Sequence, residues 1–156
     1  MPGDAVDAAT RSRMMAGIRG KDTKPELVIR RGLHALGFRF RLHDRHLPGA
    51  PDLVLPRWRA VILIHGCFWH GHDCSLFRWP GTRQDFWRTK IGRNRERDME
   101  VEALLDAAGW RIMTVWECSL KGRGKIGAGQ VIALVVEWLK SGQGQGEIRG
   151  MEDAGG

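Results

Sequence analysis

Residues 61–64, Val-Ile-Leu-Ile, form an unbroken apolar run inside RWRAVILIHG. A strand with one wet face alternates apolar and polar side chains, whereas a strand apolar at every position has to be covered on both faces. This run therefore demands a sheet with helices above and below it, and the rest of the chain supplies the parts. Thr23-Lys24-Pro25-Glu26 is a helix start, with Thr at the N-cap, Pro in the first turn and Glu at the capping-box position. Ile29, Leu33 and Leu36 continue that helix and Gly37 ends it. Phe38, Phe40 and Leu42 alternate with arginines as in a half-buried strand, and DLVLP follows the turn LPGAPD. Residues 82–107 read as one long helix with Trp87, Ile91, Asn94, Asp98, Val101 and Leu105 on one face. Residues 110–117 form another strand and 131–139 a final helix. The order α-β-β-β-α-β-α predicts an α/β fold with a mixed central sheet flanked by helices.

At 156 residues the chain is expected to form one domain. Residues 1–9 read as a flexible end, 10–140 as the domain, and the Gly-rich stretch 141–156 as a disordered tail. Residues 8–18 are expected to form a short basic helix. No apolar stretch is long enough to span a membrane, and the N-terminus lacks the apolar core of a secretory signal. Three cysteines, an odd number, argue against a disulfide scaffold and for a reducing cytoplasm. The formal charge of +7 is dominated by arginine, which points toward nucleic acid, anionic lipid or plain solubility.

Directly after the apolar run comes HGCFWHGHDC, which packs three histidines and two cysteines into ten residues. Cys67, His72 and Cys74 have the spacing C-x4-H-x-C, and Cys118 is the one remaining cysteine. Cys3His suits tetrahedral zinc and leaves no open coordination position, so such a site is structural. The competing reading is three unliganded core cysteines. The H-x-E…P-C-x-x-C pattern of zinc deaminases is absent.

With His72 assigned to zinc, His65 and His70 remain in the same segment. Asp52 begins a strand after a tight turn, where it either terminates the turn or holds a hard cation such as Mg²⁺ through oxygen. Glu26 is accounted for by its capping box, and Asp98 either pairs on a solvated face or points inward from the semi-apolar stripe. Basic residues gather in two runs, Arg11, Arg13, Arg19, Lys21 and Lys24, then Arg78, Arg83, Arg88, Lys90, Arg93, Arg95 and Arg97. A charge run is usually a solvated face. These two flank Phe68, Trp69, Trp79 and Trp87, a mixture suited to phosphate contacts with stacking or wedging between bases.

ATRSRMM, GKDTKPE, LPGAPDLVLP, HGCFWHGHDC, TRQDFWRTKIGRNRERD and GWRIMTVWEC, in this order, resemble the very-short-patch-repair (Vsr) DNA mismatch endonucleases from about Ala8 to Leu139. The resemblance implies a restriction-endonuclease-like fold. It also implies an activity that nicks one strand 5′ to the thymine of a T:G mismatch, the product of 5-methylcytosine deamination, to start short-patch repair. By the same resemblance, Asp52 and the backbone carbonyl of Ile64 bind Mg²⁺, as two ions. Relatives often carry Thr at position 64, and Ile has no hydroxyl to offer. His70 is the catalytic histidine in proton transfer, with Glu26 nearby, while His65 and Asp98 support the cations.

The resemblance further implies that Phe68, Trp69 and Trp87 form an aromatic wedge entering beside the mismatch from the major groove. Met15 approaches from the minor groove, and Lys90 and Asn94 contact bases. Cys67, His72, Cys74 and Cys118 hold one structural zinc. The wider nuclease superfamily carries an E-x-K signature where this chain has Ile64-His65-Gly66, so no lysine is on hand to activate water. Mismatched double-stranded DNA is the implied partner, with mismatch-repair proteins as a family-level partner and a cytoplasmic, nucleoid-associated monomer as the expected state.

Two other functions fit the residues less completely. A zinc-stabilised DNA-binding module without catalysis has no need for Asp52, His70, Glu26, His65 and Asp98 together. A nicking endonuclease that reads sequence with a relaxed mismatch requirement differs only in recognition residues.

Overall fold

The computed structural model describes residues 23–151. The expected flexible end at 1–9, the helix at 8–18 with Met15, and the last five residues of the expected tail lie outside that range.

Helix α1 spans Lys24–Ala35. Thr23 caps it, its hydroxyl accepting from the Glu26 backbone N–H at 3.4 Å. Ile29 and Leu33 are buried as their spacing predicts. Leu36, expected to extend that face, is instead the C-cap residue and 61% exposed. The helix ends there because Gly37 turns the chain in the left-handed region at φ 95°.

Five strands follow in spatial order β1-β2-β3-β4-β5: β1 Arg41–Leu42, β2 Leu53–Leu55, β3 Ala60–His65, β4 Arg111–Trp116 and β5 Gln145–Ile148. β1 pairs with β2 and β2 with β3 antiparallel, while β3–β4 and β4–β5 are parallel, so the sheet is mixed. Helix α2, Gln84–Ala107, connects β3 to β4, and α3, Ala128–Ser141, connects β4 to β5.

Alternation along the strands loads both faces. Leu53, Leu55, Ile62, Met113 and Val115 face a core shared with Ile29 and Leu33 of α1 and Val131, Val135 and Leu139 of α3. Val54, Val61, Leu63 and Ile112 face the other way, onto Val101 and Leu105 of α2. The continuous apolar run of β3 is thereby covered twice. Burying each such side chain contributes about 1.5–3 kcal/mol, and burial is what fixes the register.

The first strand is shorter than its alternation predicts. Only Arg41 and Leu42 pair, both exposed, while Phe38 and Phe40 pack against the core from irregular chain and Phe38 lies 5.6 Å from Trp58. The expected disordered tail from residue 141 is the larger correction. Residues 145–148 form an edge strand parallel to β4, and the folded unit runs past residue 140. Glycine is there for packing: a Cβ at Gly146 would come within 2.8 Å of Met113 Cε and 2.9 Å of Trp138 Cδ1. Among the described residues no helix is long and apolar enough to cross a membrane.

Candidate active site and metal cluster

Parallel pairing of β3 and β4 sets His65 opposite Trp116. Two residues beyond each strand end stand Cys67 and Cys118, so the register alone carries these cysteines to the same edge. The tight loop after β3 returns His72 and Cys74 to them. The ligand atoms of Cys67, His72, Cys74 and Cys118 all lie within 4.8 Å of one another. His72 Nδ1 is 3.5 Å from Cys67 Sγ and 3.6 Å from Cys118 Sγ. A tetrahedral zinc with ordinary bond lengths sets sulfur and nitrogen roughly 3.5 Å apart, which these two separations match, so the cluster could hold zinc. Burial and the neighbouring thiols push the Cys67 thiol up, and burial does the same for Cys118. A bound cation reverses that penalty by taking the thiolate as ligand.

A second group forms around a cavity of about 310 Å³ lined by Asp52, Ile64, His65, Trp69, His70, Asn94 and Asp98 among others. Asp52, just before β2, is tied to β3 through the Ile64 N–H, which donates to Asp52 Oδ2 at 2.7 Å. Burial, reinforced by the charge of nearby Glu26, pushes the Asp52 carboxyl up to about 8 against the opposing pull of the Ile64 N–H. Like charges held this close raise the affinity of the pair for a proton or a cation. His65 and His70 stack with ring centroids 3.9 Å apart and planes 7° from parallel. Burial, then the neighbouring His70 and His72, hold His65 well below the usual imidazole range, which favours its neutral form. His65 Nδ1 is buried without a hydrogen-bond partner among the described residues. Asp98 does not sit on a solvated face, because its Oδ2 is 2.5 Å from His70 Nδ1.

Glu26 is 1% exposed. Thr23 supplies its half of the helix cap, while the Glu26 carboxylate accepts from Arg30 at 2.9 Å and meets His43 Nε2 at 2.9–3.0 Å. His43 is a residue that sequence reasoning missed. It reaches within 4.0 Å of Asp52 Oδ1, making the trio Glu26, His43 and Asp52 a further potential cation-holding group. No spacing rule reveals it. The signal is the β1–β2 register, which pairs Leu42 with Leu53 and so sets His43 against Asp52, with the His43 N–H donating to the Asp52 carbonyl at 3.1 Å.

Phe68, Trp69 and Trp87 are brought together, with centroid separations of 5.2, 5.3 and 5.9 Å among the three rings. Phe77 continues the tier from Phe68 to Trp79, and Phe86 abuts Trp87. Trp79 and Phe86 are exposed, and each carries a guanidinium, Arg88 at 4.5 Å and Arg83 at 4.4 Å. Asn94 does not point freely outward; its Nδ2 donates to the Trp69 carbonyl at 2.8 Å. Lys90 lies half-exposed three residues beyond Trp87 on α2.

A mixed sheet flanked by helices, with carboxylates and histidines gathered at one edge, fits a nuclease fold. The family model described as DNA mismatch endonuclease Vsr matches residues 3–76. The chain is 45% identical over 136 residues to the DNA mismatch endonuclease Vsr of Escherichia coli K12, covering 87% of each chain. It is 46% identical over 125 residues to the type II nicking enzyme V.XorIIP of Xanthomonas oryzae pv. oryzae, covering 80% of this chain and 92% of the relative. It is 42% identical over 120 residues to the type II nicking enzyme V.NmeAIP of Neisseria meningitidis, covering 77% and 86%. The chain belongs to the Vsr family of DNA mismatch endonucleases and is a Vsr-like endonuclease.

Proposed function

We propose that this protein nicks one strand of duplex DNA on the 5′ side of the thymine in a T:G mismatch, using Mg²⁺. The observation that carries the reading is the convergence of Asp52, Ile64, His65, His70 and Asp98 on one cavity, beside an aromatic tier edged with arginine. Asp52 and the Ile64 carbonyl would hold Mg²⁺, in a fold of the restriction-endonuclease type. When bound, the ion supplies charge stabilisation to the phosphodiester undergoing hydrolysis. The chain's own residues do the rest. Asp98 accepts the Nδ1 proton of His70, which fixes the tautomer and leaves Nε2 as the nitrogen available to take or give a proton in the cavity. His65, stacked face to face, holds the His70 ring in plane.

Phe68, Trp69 and Trp87 act as the wedge, and Lys90 and Asn94 lie on the same helix side for base contact. Unstacking costs a few kcal/mol per step and less at a mismatch, so a wedge favours mismatched DNA on energetic grounds. Asn94, bonded to the Trp69 carbonyl, braces the wedge from α2. The cluster of Cys67, His72, Cys74 and Cys118 would hold structural zinc and stiffen the loop from which the wedge projects. A sequence-reading nickase is the second reading, favoured by relatives such as V.XorIIP that are named type II nicking enzymes.

The test is cleavage of a T:G duplex by the wild type and by Asp52→Ala across a Mg²⁺ titration. Cation-dependent nicking by the wild type and none by Asp52→Ala is expected. Equal cleavage in EDTA would rule out the metal assignment.

A further inference from the structure

The stretch from Gln145 to Met151 is absorbed by neither the cavity nor the aromatic tier, yet it runs to the metal cluster. β5 carries it along β4, and three contacts then lock it across the cluster. The Gly150 N–H donates to Cys118 Sγ at 3.2 Å in a buried position. Arg149 forks onto Asp73, between ligands His72 and Cys74, with Nη1 donating to Oδ1 at 2.8 Å and Nη2 to the backbone carbonyl at 2.9 Å. The Met151 N–H donates to the Gly124 carbonyl at 2.8 Å. Only glycine fits at 150, since a Cβ there would lie 2.4 Å from the Cys118 carbonyl oxygen and 2.9 Å from that of Gly124.

We propose that residues 149–151 are a clasp that retains the metal held by Cys67, His72, Cys74 and Cys118. The proposal rests on the zinc reading of that cluster. The clasp adds a further tie between the ligand loop after β3 and the ligand after β4, beside the Cys67 N–H donating to Glu117 Oε1 at 3.2 Å and the His72 ring stacked on Trp116 at 3.8 Å. A backbone N–H aimed at a ligating sulfur also fixes that sulfur's position toward the other ligands. An exposed ion pair contributes little alone, but this guanidinium grips a side chain and a backbone oxygen of one residue, a geometry lysine cannot reproduce. Arg149 and Gly150 are thus positioning residues that act through Asp73 and Cys118.

The test is zinc release from the purified full-length protein to an excess of a colorimetric chelator, after atomic absorption has established the zinc content. Arg149→Ala is expected to speed release ~10-fold, the scale of outer-shell effects on metal sites. Arg149→Lys should fall between it and the wild type, and adding Asp73→Ala to Arg149→Ala should speed release no further. Gly150→Ala, with circular dichroism to confirm the fold, should release faster still. One zinc per wild-type chain with release unchanged within about twofold in Arg149→Ala and Gly150→Ala would overturn the clasp and leave the zinc site standing. No zinc in the wild-type chain would overturn both.

Discussion

His70 and Asp98 meet at 2.5 Å across the gap between the loop after β3 and the middle of α2. The pair ties the loop after β3 to a helix whose far end is packed on the sheet through Val101 and Leu105. Asp98→Asn keeps the shape and removes the charge that sets the imidazole tautomer. Single-turnover nicking should fall by ~10²–10³-fold, within the range of general acid–base contributions, while DNA affinity stays within about threefold. A loss of affinity matching the loss of rate would assign Asp98 to binding instead.

Asp52 makes the metal-free fold pH-sensitive. Its carboxyl is raised from an ordinary 3.8 to about 8, so the folded state prefers the proton while the unfolded chain gives it up near pH 4. The stability contributed by that proton is present at pH 4 and lost as pH rises to about 8. In EDTA the melting temperature should therefore drop between pH 5 and pH 8, by roughly 2–4 °C for each ~1 kcal/mol. Asp52→Asn should flatten the drop. Mg²⁺ should raise the melting temperature strongly at pH 8 and barely at pH 5, because binding at low pH must displace the proton. A Mg²⁺ effect equal at both values would remove Asp52 from the cation site.

Much of this arrangement is legible in the sequence because it depends on short-range pattern. C-x4-H-x-C places three ligands in one loop, and the stripe from Trp87 to Leu105 turns Asn94 and Asp98 inward. His43 was not legible, because its role exists only once β1 and β2 are paired in register. Nor was β5. Gln145 and Gly146 have poor strand propensity, and what recruits them is the open edge of β4 together with the space that Gly146 leaves for Trp138 and Met113. Composition predicts disorder where tertiary pairing decides otherwise.

The exposed ends of the aromatic tier, Trp79 and Phe86, each carry an arginine. Arg88 over Trp79 offers a guanidinium already oriented on a flat ring. Arg88→Ala should weaken binding of matched and mismatched duplexes alike and lower the slope of log affinity against log salt by about 1. Phe68→Ala should instead reduce the preference for T:G over T:A and leave that slope in place. Fluorescence anisotropy across a salt series separates the two, and an unchanged slope in Arg88→Ala would remove that residue from the DNA contact.

Cys74→Ala deletes a member of the Cys3His cluster at the loop's half-exposed end. It should lower zinc content below one per chain and loosen the platform under Phe68 and Trp69, seen as higher solvent exposure in tryptophan fluorescence. Retention of a full zinc equivalent by this variant would mean that Cys74 is not a ligand.

The most direct measurement is strand-resolved cleavage of otherwise identical T:G and T:A duplexes, each end-labelled on both strands, in Mg²⁺ and in EDTA, with Asp52→Ala and His70→Ala alongside. The account predicts one nick, 5′ to the mismatched thymine, in Mg²⁺ alone and absent from both variants. Equal nicking of T:G and T:A would contradict mismatch recognition and leave a sequence-reading nickase, while tight binding without cleavage of either duplex would contradict catalysis itself.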